Sequence, residues 1–322
     1  MSPGPRAFLA DLVDYAGLFP PAALDLAPAV RNFAAYRGGA DAWMLGRFIV
    51  PAGRLDDLDA FADLFAAAPP ARFSVLGHAP DGGGAEAWAA AARRTLADAR
   101  AFERRHPDRV ACDRFELRLP APLAADADRL AEALGELDAA FRDGAAVPPR
   151  AAVEVPFLDD PATVGPAVQA VADANGRAGR PAFTLKLRCG GVTPDLVPGV
   201  EALAEALVAA RDGGAPFKAT AGLHHPFRNE DEAVGATMHG FVNVFGGAVL
   251  ARVHGLSAGD LAEVLDDADA AHWRLDGDGL GWRSLQTTPP EVADAREQFA
   301  LSYGSCSFDE PRDDLRALGW IR

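Results

Sequence analysis

Lys186 and Lys218 are the only lysines in a chain of 322 residues; the other 29 of its 31 basic residues are arginines. The chain therefore uses arginine wherever a plain cation suffices, so a retained lysine points to chemistry that arginine lacks. Lysine can lose its proton near neutral pH and attack a carbonyl; arginine cannot. Lys186 lies in Thr184-Leu185-Lys186-Leu187-Arg188-Cys189-Gly190-Gly191, and Lys218 in Phe217-Lys218-Ala219-Thr220-Ala221-Gly222. Both segments alternate as strands do. Leu185 and Leu187 take one face of the first, which sends Thr184, Lys186 and Arg188 to the other. In the second, Lys218 and Thr220 share a face. Adjacent parallel strands run about 4.8 Å apart, so the two amines would be neighbours. Two buried ammoniums side by side depress each other's pKa. A fall from ~10.4 to ~7 takes about 4–5 kcal/mol, and the expected product is a nucleophilic lysine.

Carboxylates fall on matching faces. Glu116 shares a face with Arg118, Glu154 points inward from Val153-Glu154-Val155-Pro156, and Asp14 ends the first apolar run. Acids beside a Schiff-base lysine can relay protons; they can equally be its structural partners. Arg188 and Arg228 are candidate anchors for an anionic substituent, and Thr220 is a further inward polar group. His224, His225, His239 and His78 follow or precede strands. His224 and His239 with Glu154 make an alternative metal-dependent hydrolase or lyase, although no His-Glu-x-x-His or His-x-His spacing is present. Gly246-Gly247 is a candidate phosphate-receiving turn. Cys189 reads as a plain strand-end cysteine. No cofactor motif is found.

These residues need a scaffold that gathers strand ends. Short β-type runs alternate with alanine-rich stretches of helical period, the pattern of βα units around a parallel sheet. Strands are expected over 12–15, 45–50, 72–77, 115–119, 152–156, 183–188, 217–221 and 241–245. Helices are expected over 24–37, 54–67, 84–105, 123–142, 160–176, 195–212, 229–238 and 258–270. Eight units in this length predict a (β/α)₈ barrel over residues 1–270, with a C-terminal extension, 271–322, packed on it. Ala16-Gly17-Leu18-Phe19-Pro20-Pro21 after the first strand is no dinucleotide fingerprint, which disfavours an open doubly wound sheet. The extension holds Trp273, Trp282 and Trp320 and a polar stretch, Ser302 to Ser307. Its aromatics are expected to pack on the barrel, and its polar stretch is a candidate cover for the mouth.

Composition bounds the partners. A net charge of −15 argues against nucleic acid. No apolar stretch reaches ~20 residues, so no membrane span is expected. Acidic residues in the first apolar stretch argue against a signal peptide. Three widely spaced cysteines suggest a reducing, cytoplasmic setting. The expected partner is a small carbonyl substrate, anionic or neutral; barrels of this kind also form homo-oligomers.

The order of these pieces resembles the class I deoxyribose-phosphate aldolase superfamily. Leu12-Val13-Asp14-Tyr15-Ala16-Gly17-Leu18-Phe19-Pro20 resembles that family's opening Ile-Asp-His-Thr-Leu-Leu-Lys-Pro. Glu116 with Leu119-Pro120 resembles its fourth-strand acid segment, and Glu154 a fifth-strand glutamate. Lys186 with Cys189-Gly190-Gly191 and Thr193 resembles Lys-Thr-Ser-Thr-Gly. Phe217 to Gly222 resembles Val-Lys-Ala-Ser-Gly-Gly. The resemblance implies the same barrel, with Lys186 as the Schiff-base lysine, Lys218 as the neighbour that lowers its pKa and Glu116 as the acid of the proton relay. Phe19 stands where the family has a lysine, and Phe245-Gly246-Gly247 replaces its Ser-Ser-Gly phosphate loop. The expectation is a divergent Schiff-base lyase with a different carbonyl substrate. A third alternative is a barrel without catalysis that serves as a binding protein.

Overall fold

The computed structural model describes residues 2–322. Seven parallel strands follow one another: β1 (Val13–Tyr15), β2 (Leu45–Pro51), β3 (Ala71–Leu76), β4 (Val110–Arg118), β5 (Arg150–Glu154), β6 (Phe183–Arg188) and β7 (Phe217–Thr220). Two short antiparallel pairings come next. β8 (Asn229–Asp231) and β9 (Ala236–Met238) form a hairpin, and β10 (Trp273–Asp276), β11 (Gly279–Trp282) and β12 (Leu285–Thr287) form a three-stranded sheet. Then β13 (Ala300–Ser305) enters between β7 and β1 and closes the ring. The chain is a (β/α)₈ barrel. Among the described residues no helix is long and apolar enough to cross a membrane.

The eighth strand is therefore not 241–245. Phe241–His254 is a helix, and every residue from Phe241 to Ala251 is buried. A run apolar on all sides suits a central strand or an enclosed helix, and periodicity cannot separate the two. Here the helix lies across the seam between β7 and β13. Phe245 stacks on Phe217 with ring centroids 5.3 Å apart, and Phe241 on Tyr303 at 5.5 Å. Its other side carries Gly246, where a Cβ would come within 2.8 Å of the Trp273 ring, and Gly247, where one would press on Leu261 and Val264. The two glycines admit neighbours to a crowded helix; they form no phosphate turn.

The true eighth strand reads as polar because its inward side chains face a charged interior. Ser302 and Gly304 point in, while Tyr303 goes out to the 241–254 helix. The boundary expected at residue 270 consequently cuts the barrel. Of the three tryptophans, Trp273 and Trp320 meet Phe227, in the loop after β7, with ring centroids 6.0 and 5.8 Å away, and Trp282 meets Trp273 at 6.4 Å. Arg296, buried on Pro289–Gln298, ties this part to the N-terminal helix Pro3–Leu9. Its Nε donates to the Phe8 carbonyl at 2.8 Å and another nitrogen to Leu301 at 2.5 Å. The helix expected over 229–238 is instead the β8–β9 hairpin.

Candidate active site

Register places the charged residues. Glu154, Lys186 and Lys218 are direct partners on β5, β6 and β7, and inward parity carries all three into the barrel. Glu116 on β4 reaches under both lysines. Its Oε2 is 2.9 Å from the Lys186 Nζ, and its Oε1 is 2.8 Å from the Lys218 Nζ. Lys186 also meets Glu154 at 2.8 Å, and Glu154 in turn meets Arg188 at 3.2 Å. Asp14 pairs with Lys218 from the far side. Hydroxyls complete the shell: Ser74 donates to Glu116 at 2.7 Å and Ser302 to Asp14 at 2.9 Å. The backbone N–H of Arg47 donates to Asp14 at 2.8 Å. Lys186, Lys218, Glu116 and Asp14 are all under 5% exposed.

Three cations and three carboxylates thus balance, all of them largely buried except Arg188, whose side chain is 32% exposed. An isolated buried charge would cost several kcal/mol, so neutrality of the set lets its members stay ionised. Burial opposes the charge on Lys186, but Glu116 and Glu154 outweigh it and hold the ammonium well above the usual lysine value. Burial likewise opposes the Glu116 charge, and the two lysines overcome it, holding this carboxyl well below the usual range. Glu154 and Asp14 are lowered in the same way, against their own desolvation. This overturns the expected activation of Lys186 by its neighbour. The lysines are adjacent, but a shared carboxylate lies between them, and attraction to the acids exceeds their mutual repulsion.

The set forms the floor of a cavity of about 520 Å³ at the C-terminal end of the barrel, where barrel enzymes carry their sites. Lys186, Glu116, Glu154, Arg188 and Thr220 line it, whereas Lys218 and Asp14 lie beneath. Lys186 is the lysine a ligand can reach. Phe19, Pro20, Ile49, Leu76 and Val192 supply an apolar wall, and the β8–β9 hairpin forms a roof through Asn229, Asp231 and Met238. The strand-to-roof turn is strained. Ala221 holds φ 63°, a left-handed conformation costing a non-glycine residue about 1–2 kcal/mol. Gly222 follows at φ 75°, with the Gly190 Cα only 2.8 Å from where a Cβ would stand.

Other expected residues lie elsewhere. Arg228 binds Asp266 at 2.7 Å, away from the cavity. His239 is buried with Nε2 on the Pro198 carbonyl at 2.8 Å and Nδ1 beside Arg228 at 3.4 Å. Burial, followed by the Arg228 charge, pushes its imidazole down to about 4. It offers no nitrogen to a site shared with His224 and Glu154. Among the described residues no group of three His, Cys, Asp or Glu side chains is placed to hold a metal ion. Cys189 is enclosed, and burial pushes its thiol up to about 12. His224 does line the cavity, joined by Cys306, His225 and Glu310. Cys306 and Glu310 lie in a segment whose sequence reads as an extension, and only the pairing of β13 with β7 brings them to the cavity. Ser74 and Ser302 were legible only as inward positions on their strands.

No protein-family model matches the chain, and no curated protein matches it. Among solved structures, a lysine/ornithine decarboxylase complexed with cadaverine from Vibrio vulnificus aligns with 67% of this chain at 16% identity and a TM-score of 0.36. The chain spans about half of that structure, 48% of its length.

Proposed function

We propose that the protein is an enzyme, a Schiff-base-forming lyase of the aldolase type that makes or breaks a C–C bond in a small carbonyl compound. One observation carries the reading: the Lys186 amine stands on the cavity floor between two carboxylates. An ordinary lysine needs about 4.6 kcal/mol to shed its proton at pH 7, and Lys186 needs more. The same two carboxylates stabilise any cation at that nitrogen, however, and the iminium of a Schiff base is such a cation. The arrangement opposes the free amine and favours the intermediate.

Arg188 supplies a route between them. An anionic substituent of the substrate would draw Arg188 from Glu154, and Glu154 would then become basic enough to take a proton from Lys186. The neutral amine adds to the carbonyl carbon, and the proton the nitrogen then sheds passes to the oxygen, giving the neutral carbinolamine. The carbinolamine hydroxyl then takes the proton from Glu154 and leaves as water. The resulting iminium accepts the electron pair of the cleaving C–C bond. Glu116 holds the new cation and keeps Lys218 in place. Reduction with borohydride in the presence of small aldehydes and 2-oxo acids tests this. The expected result is an adduct mapped to Lys186 and absent from the Lys186→Arg variant. No adduct across the panel refutes it.

The elevated proton affinity of Lys186 favours a second reading, in which the ammonium never reacts covalently. It would stabilise an enolate while Glu154 abstracts a proton beside the carbonyl. Solvent deuterium exchange into a carbonyl compound without any borohydride-trapped adduct would select this reading over the first.

A further inference from the structure

A second group of reactive side chains faces the same cavity. β7 and β13 are neighbours, with Thr220 paired to Gly304, so the segments leaving their upper ends emerge side by side. His224 stands four residues beyond Thr220, and Cys306 two beyond Gly304. The Cys306 Sγ lies 3.9 Å from each ring nitrogen of His224. The next helix, Asp309–Ala317, starts three residues later and brings the Glu310 carboxylate to 3.0 Å from His224 Nδ1. A thiol, an imidazole and an orienting carboxylate thus follow one another in space, though they come from three separate segments.

We propose that Cys306, His224 and Glu310 form a nucleophilic thiol site at the rim of the cavity, one that takes a small aldehyde independently of Lys186. Glu310 accepts the Nδ1–H of His224, and Nε2, on the other side of the ring, holds the proton given up by the thiol. The sulfur–nitrogen distance is long for a proton transfer, but such contacts tighten when a ligand binds. Burial works against a charged imidazole here, yet the facing sulfur and Glu310 outweigh it and push His224 up to about 9. The site is therefore able to keep the proton it takes. Cys306 and Glu310 also line a neighbouring hollow of about 410 Å³ bounded by Tyr15, Asn32 and Tyr36, so the thiol stands between two spaces of substrate size. All three cysteines are buried, but among the described residues only Cys306 has a histidine within reach of its sulfur; the Cys189 sulfur meets the Leu187 carbonyl.

The step balances without an oxidant. The S–C bond forms as the carbonyl π bond opens, and the thiol proton passes through His224 Nε2 to the oxygen, giving a hemithioacetal. Alkylation of the intact protein with iodoacetamide at pH 7, with peptide mapping, provides the test. An unassisted thiol is about 3% ionised at that pH, so assistance leaves room for up to about 30-fold. Cys306 should label at least ~10-fold faster than Cys112 and Cys189. His224→Gln should slow it about 10-fold and Glu310→Gln, at an exposed position, by a few fold. Glycolaldehyde should protect Cys306 equally in the wild type and in Lys186→Arg. Unchanged labelling in both the His224 and Glu310 variants overturns the site. Protection that vanishes in Lys186→Arg overturns its independence, because the aldehyde would then be held at the lysine.

Discussion

Replacing Glu116 with glutamine isolates the interaction on which the whole charged floor depends. The side chain keeps its shape and can still accept from Ser74, but the shared negative charge between Lys186 and Lys218 is gone. Three cations then face two carboxylates in a buried space. Removing one partner of a buried ion pair typically costs about 3–5 kcal/mol. Unfolding entropy of about 2.1 cal/mol/K per residue over 322 residues gives about 0.68 kcal/mol/K. The variant should therefore melt about 4–7 °C lower at pH 7. The gap should also depend on pH in a fixed direction. Glu116 is held below the ordinary glutamate value, with burial opposing and the lysines prevailing. Its contribution is complete above about pH 4.3, where an unfolded glutamate ionises, and is lost as pH falls through the folded value. By pH 3 the gap should have narrowed by about 1.8 kcal/mol, or roughly 2–3 °C. Differential scanning calorimetry at both pH values measures it. A melting point within 1 °C of the wild type at pH 7 would refute the reasoning, as would a gap of equal size at pH 3. Adding Lys186→Met to Glu116→Gln restores the charge balance and should recover part of the loss.

Tyr303→Phe should raise stability by about 1 kcal/mol, since the buried Tyr303 hydroxyl has no hydrogen-bond partner among the described residues and its removal relieves an unmet desolvation cost; a loss of similar size in urea unfolding would contradict this. Gly246→Ala should destabilise by about 1 kcal/mol despite the better helix propensity of alanine, because overpacking against Trp273 exceeds that gain. Its affinity for a carbonyl ligand should stay unchanged, whereas a phosphate-binding turn would make affinity fall. A chain ending at residue 270 lacks β13 and leaves β1 and β7 as bare edges; it should show no cooperative unfolding transition, and a cooperative one would mean the barrel closes without β13.

Much of the site was legible from strand parity, because alternation is a local property of the chain. Thr184, Lys186 and Arg188 had to share a face once Leu185 and Leu187 took the other, and the same held for Lys218 with Thr220. Glu116 and Glu154 were legible as inward acids. Arg228 and His239 were misplaced for a shared reason. Both follow β7, where an expected helix and strand proved to be the β8–β9 hairpin and a buried helix. Their side chains turn toward Asp266 and Pro198.

By itself the sequence determined the barrel class, the strand faces and the two lysines as inward neighbours, since each follows from residue type and a period of two. Only the tertiary structure decided which segment closes the ring. The apolar run 241–245 and the polar run 300–305 exchange roles because one is enclosed on every side while the other faces a charged interior. Tertiary structure also decided the direction in which the proton affinity of Lys186 moves. The sign of that shift depends on whether a second ammonium or a carboxylate lies nearer, a matter of ångströms across the barrel that spacing along the chain does not encode. It brought Cys306 to His224 for the same reason, through the pairing of two strands some eighty residues apart.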